Sequence, residues 1–168
     1  MHSLAYCRKG EAFIKLNKFV EAVDCFEKAI EINPNDKYSW YGKAFALINS
    51  GQIEEALKSL IKSIDIEQNY STAQVTLASI YYKQGKKTEY EMHCGLARKI
   101  IEKNNAFDYN RACFEAICGD KVISFQIIER LLKDKKASLD WICADPDLET
   151  LRDDPRFQEL LKIYSKKE

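Results

Sequence analysis

The chain has 168 residues, 46% of them hydrophobic, which is enough for a packed core at the size of one ordinary domain. Lysine plus arginine (26) equal aspartate plus glutamate (26), so no long-range basic field draws the protein onto nucleic acid or an anionic membrane. The amino terminus lacks the apolar core of a signal peptide, and no segment approaches the roughly 18 apolar residues of a membrane span, so a cytoplasmic protein is expected.

Three prolines and six glycines leave little punctuation. The runs between them carry apolar residues at i, i+3, i+4 and i+7, the stripe of an amphipathic helix. Phe19, Val23, Phe26 and Ile30 form one such stripe, and Ile53, Leu57, Leu60, Ile61 and Ile64 another. Breaks are predicted at Asn33-Pro34-Asn35-Asp36, Asn49-Ser50-Gly51-Gln52, Gln84-Gly85-Lys86 and Cys118-Gly119-Asp120, where glycine or asparagine supplies the left-handed residue that ends a helix. No alternating run bounded by turn residues suggests a strand, so the chain reads as all-α.

The pattern returns every 34 residues, dividing the chain into Ser3–Asp36, Lys37–Tyr70, Ser71–Asn104 and Asn105–Ser138. The first block carries Tyr6, Gly10, Phe13, Ala22, Phe26, Ala29 and Pro34, and the second places Trp40, Ala44, Leu47, Ala56, Leu60 and Ser63 in the same columns. Small residues at Gly10, Ala44, Ala78 and Ala112 let paired helices approach closely, and a hairpin that cannot bury its apolar face alone must stack on another. These columns are similar to the signature of the tetratricopeptide repeat family. The resemblance implies a right-handed superhelical solenoid of about four helix-turn-helix hairpins, with residues 1–168 as a single domain.

The match fades along the chain. The third block keeps Leu77, Ala78, Tyr81, Gly85 and Ala97 but has Gln74, Tyr90 and Glu102 in signature columns, and the fourth has Asp108, Glu115, Ser124 and Lys136. After Ser138 the period stops. Asp145-Pro146 and Asp154-Pro155 then read as helix starts, with aspartate as the cap and proline at the first helical position. The second of these helices carries Phe157, Leu160, Leu161 and Tyr164 on one face, opposite the polar Arg156, Glu159, Lys162 and Lys166. Residues 139–165 are therefore expected to be a helical cap lying against the fourth repeat. This ending resembles the tail of many bacterial and archaeal tetratricopeptide proteins.

Chemistry is sparse. The only histidines are His2 and His93, and His93-Cys94 cannot act as a base and nucleophile because adjacent helical residues point about 100° apart. No phosphate-binding loop, zinc-protease or nucleophile-elbow motif is present, so no catalytic residue is assigned and no enzyme activity is expected. The six cysteines show no metal-ligand spacing and read as reduced, small hydrophobic residues. The acidic group Asp145, Asp147, Asp153 and Asp154 is put down to capping, with neither metal nor cofactor expected.

In the family the first helix of each hairpin lines a concave groove, and the resemblance assigns to it Tyr38, Tyr41, Phe45, Val75, Tyr82 and Tyr109 as candidate partner-binding residues. Co-chaperone members hold a partner's terminal carboxylate with Lys, Asn and Arg at set columns. Here those columns carry Cys7, Glu11, Gly42, Thr72 and Thr76 in one register, or Tyr41, Phe45, Thr76, Ala106 and Asn110 in the next. With no lysine or arginine among them, binding of a chaperone's carboxylate tail is not expected. An apolar helix or extended peptide fits better; the alternative is that some of these side chains pack between neighbouring helices or are covered by the chain's own carboxy-terminal helix. The expected function is a non-catalytic scaffold or adaptor for a protein or peptide partner. The alternative is a structural module of a longer array. No polar capping helix precedes Leu4, so weak self-association through about Leu4–Lys18 is expected on that reading.

Overall fold

The computed structural model of the chain describes residues 2–104 and 109–165, the side chain of Asn104 excepted. Ala106, Asp108 and Lys166, named above, lie outside the described residues. The helices are α1 (Ser3–Lys15), α2 (Phe19–Ile32), α3 (Lys37–Asn49), α4 (Ile53–Ile66), α5 (Ser71–Lys83), α6 (Lys87–Asn104), α7 (Tyr109–Cys118), α8 (Lys121–Lys133), α9 (Leu139–Ala144) and α10 (Pro155–Tyr164), with a 3-10 turn at Pro146–Leu151 between the last two. Among the described residues there is no strand, and no helix is long and apolar enough to cross a membrane. The chain is an all-α succession of helix-turn-helix hairpins in two compact units, residues 1–73 and 74–168.

The turn inside a hairpin is the same backbone device three times over. Asn17 (φ 56°), Gly51 (φ 79°) and Gly85 (φ 69°) occupy one column, all in the left-handed region. In each case the next residue's N–H reaches back to close the helix end: Lys18 to the Phe13 carbonyl at 2.9 Å, Gln52 to Leu47 at 2.8 Å and Lys86 to Tyr81 at 2.9 Å. This is the Schellman closure, which satisfies carbonyls that the helix leaves orphaned. The fourth occurrence departs from expectation. Gly119 is absent from the left-handed set, and a Cβ there would meet the Glu115 Oε2 at 2.0 Å, so this glycine makes room for a neighbouring carboxylate.

In the first unit the packing follows from small columns facing one large residue. Phe26, 1% exposed, lies against Gly10 and Gly42, where an added Cβ would stand 2.8 Å and 2.5 Å from its ring. Ala22, Ala29, Ala44, Ala56 and Leu60 of the same unit are fully buried. Helix α3 starts where Asp36 accepts the Tyr38 N–H at 3.1 Å, and Ser63 donates to the Lys37 carbonyl at 3.0 Å, which ties α4 to the first turn of α3.

In the second unit the core gathers Ile101, Phe114, Phe125, Ile128 and Leu132 with Ile142, Leu148, Leu151, Phe157 and Leu160 of the carboxy-terminal segment. The tail is therefore integral to this core. Both predicted starts are present, with Asp145 accepting the Asp147 N–H at 2.8 Å and Asp154 accepting the Arg156 N–H at 3.0 Å. The first of them opens a 3-10 turn, and an additional short helix, α9, precedes it with Ser138 as its cap.

Four signature columns that depart from the family pattern hold polar groups with specific partners. Gln74 Oε1 is 2.6 Å from His93 Nδ1, and the Tyr90 hydroxyl donates to the Ile117 carbonyl at 2.8 Å. Glu115 accepts from Arg111 at 2.6 Å and from the Asp120 N–H at 3.0 Å, while Ser124 donates to the Ala112 carbonyl at 2.7 Å. One expectation is corrected here. Cys94 on α6 and Cys118 at the end of α7 form a disulfide, with Cα atoms 5.5 Å apart, whereas sequence spacing had suggested reduced thiols throughout. The two cysteines lie 24 residues apart in sequence, and only the packing of α6 on α7 brings them together.

Candidate functional site

The structure divides the six candidate groove residues by burial. Phe45 (3% exposed) and Val75 (fully buried) are packing residues, not accessible surface. Tyr109 is half-buried. Its hydroxyl donates to Asp145 Oδ2 at 2.7 Å and its ring stands 6.4 Å from that of Trp141, so the chain's own cap occupies it. Burial, and then the nearby Asp145 carboxylate, hold its phenol well above the ordinary tyrosine range. Columns alone could not separate these cases, because side chains on neighbouring columns of a helix diverge by a fraction of a turn and one faces the hairpin partner.

Tyr38, Tyr41 and Tyr82 remain accessible in whole or part. Tyr38 and Tyr82 are each 58% exposed, and Tyr41 is half-buried. In the first unit Tyr38 and Tyr41 on α3 meet Tyr70, which immediately precedes α5. The ring centroids lie 6.0 Å and 5.5 Å apart at interplanar angles of 78° and 72°, an edge-to-face trio. The Lys37 ammonium sits 4.8 Å from the Tyr38 ring and 5.0 Å from the Tyr70 ring, and it also pairs with Glu67. Burial, with Tyr38 close by, pushes the Tyr70 phenol above its ordinary range. Tyr70 thus forms the floor of the trio, a role that its position outside the groove columns concealed. In the second unit Tyr82 pairs with Tyr90 at 5.5 Å.

Four of the columns compared with a carboxylate clamp have the following surroundings. Cys7 is 5% exposed, Gly42 faces the Phe26 ring and the Thr76 hydroxyl donates to Asp147 at 2.7 Å. Glu11 is in an ion pair with Arg8 at 2.9 Å.

Models of the tetratricopeptide repeat match residues 3–36 and 25–58. Residues 3–58 therefore carry tetratricopeptide repeats. It is 27% identical over 153 residues to a peroxisomal targeting signal receptor of Kluyveromyces lactis, covering 88% of this chain and 25% of that protein. It is 28% identical over 156 residues to Hsp70-Hsp90 organizing protein 3 of Arabidopsis thaliana, covering 91% and 27% respectively. An Hsp70-Hsp90 organising protein of Plasmodium falciparum is 30% identical over 109 residues, covering 65% of this chain and 19% of the relative. The chain thus spans at most about a quarter of the length of these tetratricopeptide relatives.

Proposed function

We propose that this chain is a non-catalytic adaptor for a protein or peptide partner, that residues 1–168 act as a single domain, and that the tyrosine trio of the first unit is a docking face. The observation that carries the proposal is an exposed Tyr38 held edge-on by a half-buried Tyr70, beside the half-buried Tyr41. A large aromatic side chain left in water, when the fold does not need it there, suits a contact for a partner. Rings fixed by one another lose little freedom on binding, and their hydroxyls can orient a peptide backbone. The relatives support an interaction role, since they are named for receiving a targeting signal and for organising chaperones. Tyr82, on α5, is proposed as a further anchor.

Two considerations oppose each other over a chaperone partner. Likeness to Hsp70-Hsp90 organizing proteins favours one, while the absence of lysine and arginine from the tail-binding columns argues against a carboxylate clamp. The decisive experiment is partner capture with the intact protein, challenged by a chaperone carboxy-terminal peptide. Tyr38→Ala and Tyr41→Ala should each weaken capture by about 1–2 kcal/mol with the helical signal retained. Undiminished capture by both variants would remove the trio as the site, and displacement by the peptide would restore the chaperone reading.

A second reading, a module that associates through the edge of its first repeat, is favoured by Leu4, Leu16 and Val20, each 64% exposed. Light scattering at micromolar concentration distinguishes the two, because an adaptor of this kind stays monomeric and an edge-stacking module does not.

A further inference from the structure

The second unit buries chemistry that neither the repeat pattern nor the tyrosine faces require. Asp145 and Asp147 are 3% and 2% exposed, two residues apart at the start of the 3-10 turn. Asp153 is exposed and Asp154 is engaged with Arg156, so this pair is separate from the rest of the acidic run. Three of its four carboxylate oxygens have donors. Asp145 Oδ1 accepts the Asp147 N–H, Asp145 Oδ2 accepts the Tyr109 hydroxyl, and Asp147 Oδ2 accepts the Thr76 hydroxyl at 2.7 Å. The fourth, Asp147 Oδ1, is enclosed and has no hydrogen-bond partner. The buried thiol of Cys113 on α7 completes a cluster in which one ligand atom from each of Cys113, Asp145 and Asp147 lies within 4.8 Å of the others.

We propose that Cys113, Asp145 and Asp147 form a structural binding site for a divalent metal ion of the zinc type. A buried oxygen without a partner is costly, and a metal ion satisfies it where the protein offers no donor. Tetrahedral zinc, with bonds of about 2.0–2.3 Å, wants its ligand atoms roughly 3.5 Å apart, so the three groups need draw together by at most about 1.3 Å. A thiolate favours zinc-like ions over calcium or magnesium, which take oxygen ligands. Tyr109 and Thr76 already hold the two carboxylates by one oxygen each, the supporting role that orients metal ligands.

Charge closes as well. One thiolate and two carboxylates carry three negative charges, the ion carries two positive, and Arg152, whose guanidinium donates to the Asp145 carbonyl at 3.1 Å, supplies the third. Binding releases the Cys113 thiol proton, together with any proton held between the carboxylates. Because its ligands and their supports come from α5, α7 and the segment after α9, the ion would clasp the carboxy-terminal cap onto the helices beneath it.

The test uses the full chain with its disulfide intact, freed of metal by a chelator and titrated with zinc chloride by calorimetry and with cobalt(II) by absorption. The expected result is one equivalent bound, a cobalt–thiolate charge-transfer band that disappears in Cys113→Ser, and a rise in melting temperature on adding zinc. Asp147→Asn keeps an oxygen for Thr76 and removes a buried charge, so it should fold without metal and bind zinc at least about 10-fold more weakly. Absence of stoichiometric binding, a cobalt band that survives Cys113→Ser, or an Asp147→Asn variant with unchanged zinc affinity would overturn the proposal. A melting temperature that responds to pH and not to zinc would also overturn it, showing the cluster to be a proton site.

Discussion

The two units reach a buried interior by different chemistry. Among the described residues of 1–73 the buried polar ones are Ser39, Ser59 and Ser63, each answered by a group close at hand, and the interior is otherwise apolar, with Ile14, Phe26, Phe45, Leu47 and Leu60 set among alanine, glycine and cysteine. In residues 74–168 the buried polar set includes Gln74, Thr76, Glu115, Asp145 and Asp147, joined through side-chain bonds, and a disulfide links α6 to α7. Where the family columns are intact, complementary shape is enough to hold the hairpins. Where they have drifted, Gln74, Tyr90, Glu115 and Ser124 stand in signature columns with specific hydrogen-bond partners. Such bonds cannot be lost piecemeal, since a broken pair leaves a buried group unsatisfied.

The strongest challenge to this contrast is removal of residues 139–168. Ile142, Leu148, Leu151 and Phe157 are each at most 3% exposed, and burial of a large side chain contributes about 1.5–3 kcal/mol. Their combined loss is comparable with the whole stability of a domain, about 5–15 kcal/mol. Amide protection in α7 and α8 should collapse while α1 to α4 keep theirs, as followed by hydrogen exchange. Equal loss in both units would show that the contrast in packing does not extend to stability.

Next in size is Phe26→Ala. The ring fills the space between Gly10 and Gly42, which cannot close around a missing side chain without moving helix backbones. A cost of about 3–5 kcal/mol in denaturant unfolding is expected. A cost below about 1 kcal/mol would mean that the small columns do not depend on this one residue.

The smallest effect sharpens the polar side of the comparison. Burial holds the His93 imidazole below its ordinary range, opposed in part by Glu89. A base with a depressed folded value favours the fold when neutral. Its contribution is therefore present above the unfolded value of about 6.5 and is lost as pH falls through the folded value. Hydrogen exchange between pH about 7 and 5 should show α5 and α6 loosening, with α1 to α4 unaffected. His93→Gln should flatten that dependence, and a dependence that persists in the variant would locate its origin elsewhere.

Which features could be read from the residues alone follows from how local their causes are. Asp145-Pro146 and Asp154-Pro155 announced helix starts because a cap is settled within three residues. The columns of Tyr6, Gly10, Phe26 and Ala44 announced hairpins because the same packing problem recurs with the same solution. Phe45 and Val75 were misassigned because a column says which helix face a residue lies on, not what covers that face. Tyr70, the Cys94–Cys118 disulfide and the Cys113, Asp145 and Asp147 cluster were hidden for a related reason. Each joins residues from separate elements, and no short-range pattern records such meetings.

The left-handed turn at Asn17, Gly51 and Gly85 has a consequence for how such a chain can change in length. Cutting the chain at two of these turns and rejoining it brings together ends with the same left-handed φ and the same backbone closure. The stretch between them is therefore an interchangeable cassette, and duplicating or deleting it leaves every remaining helix its native stop. Asn17 is the informative copy, since it shows that the joint tolerates a side chain and does not demand glycine. A splice at Gly119 would not behave this way. There the Glu115 carboxylate occupies the space a side chain would need, and the joint accepts only the sequence that was built around it.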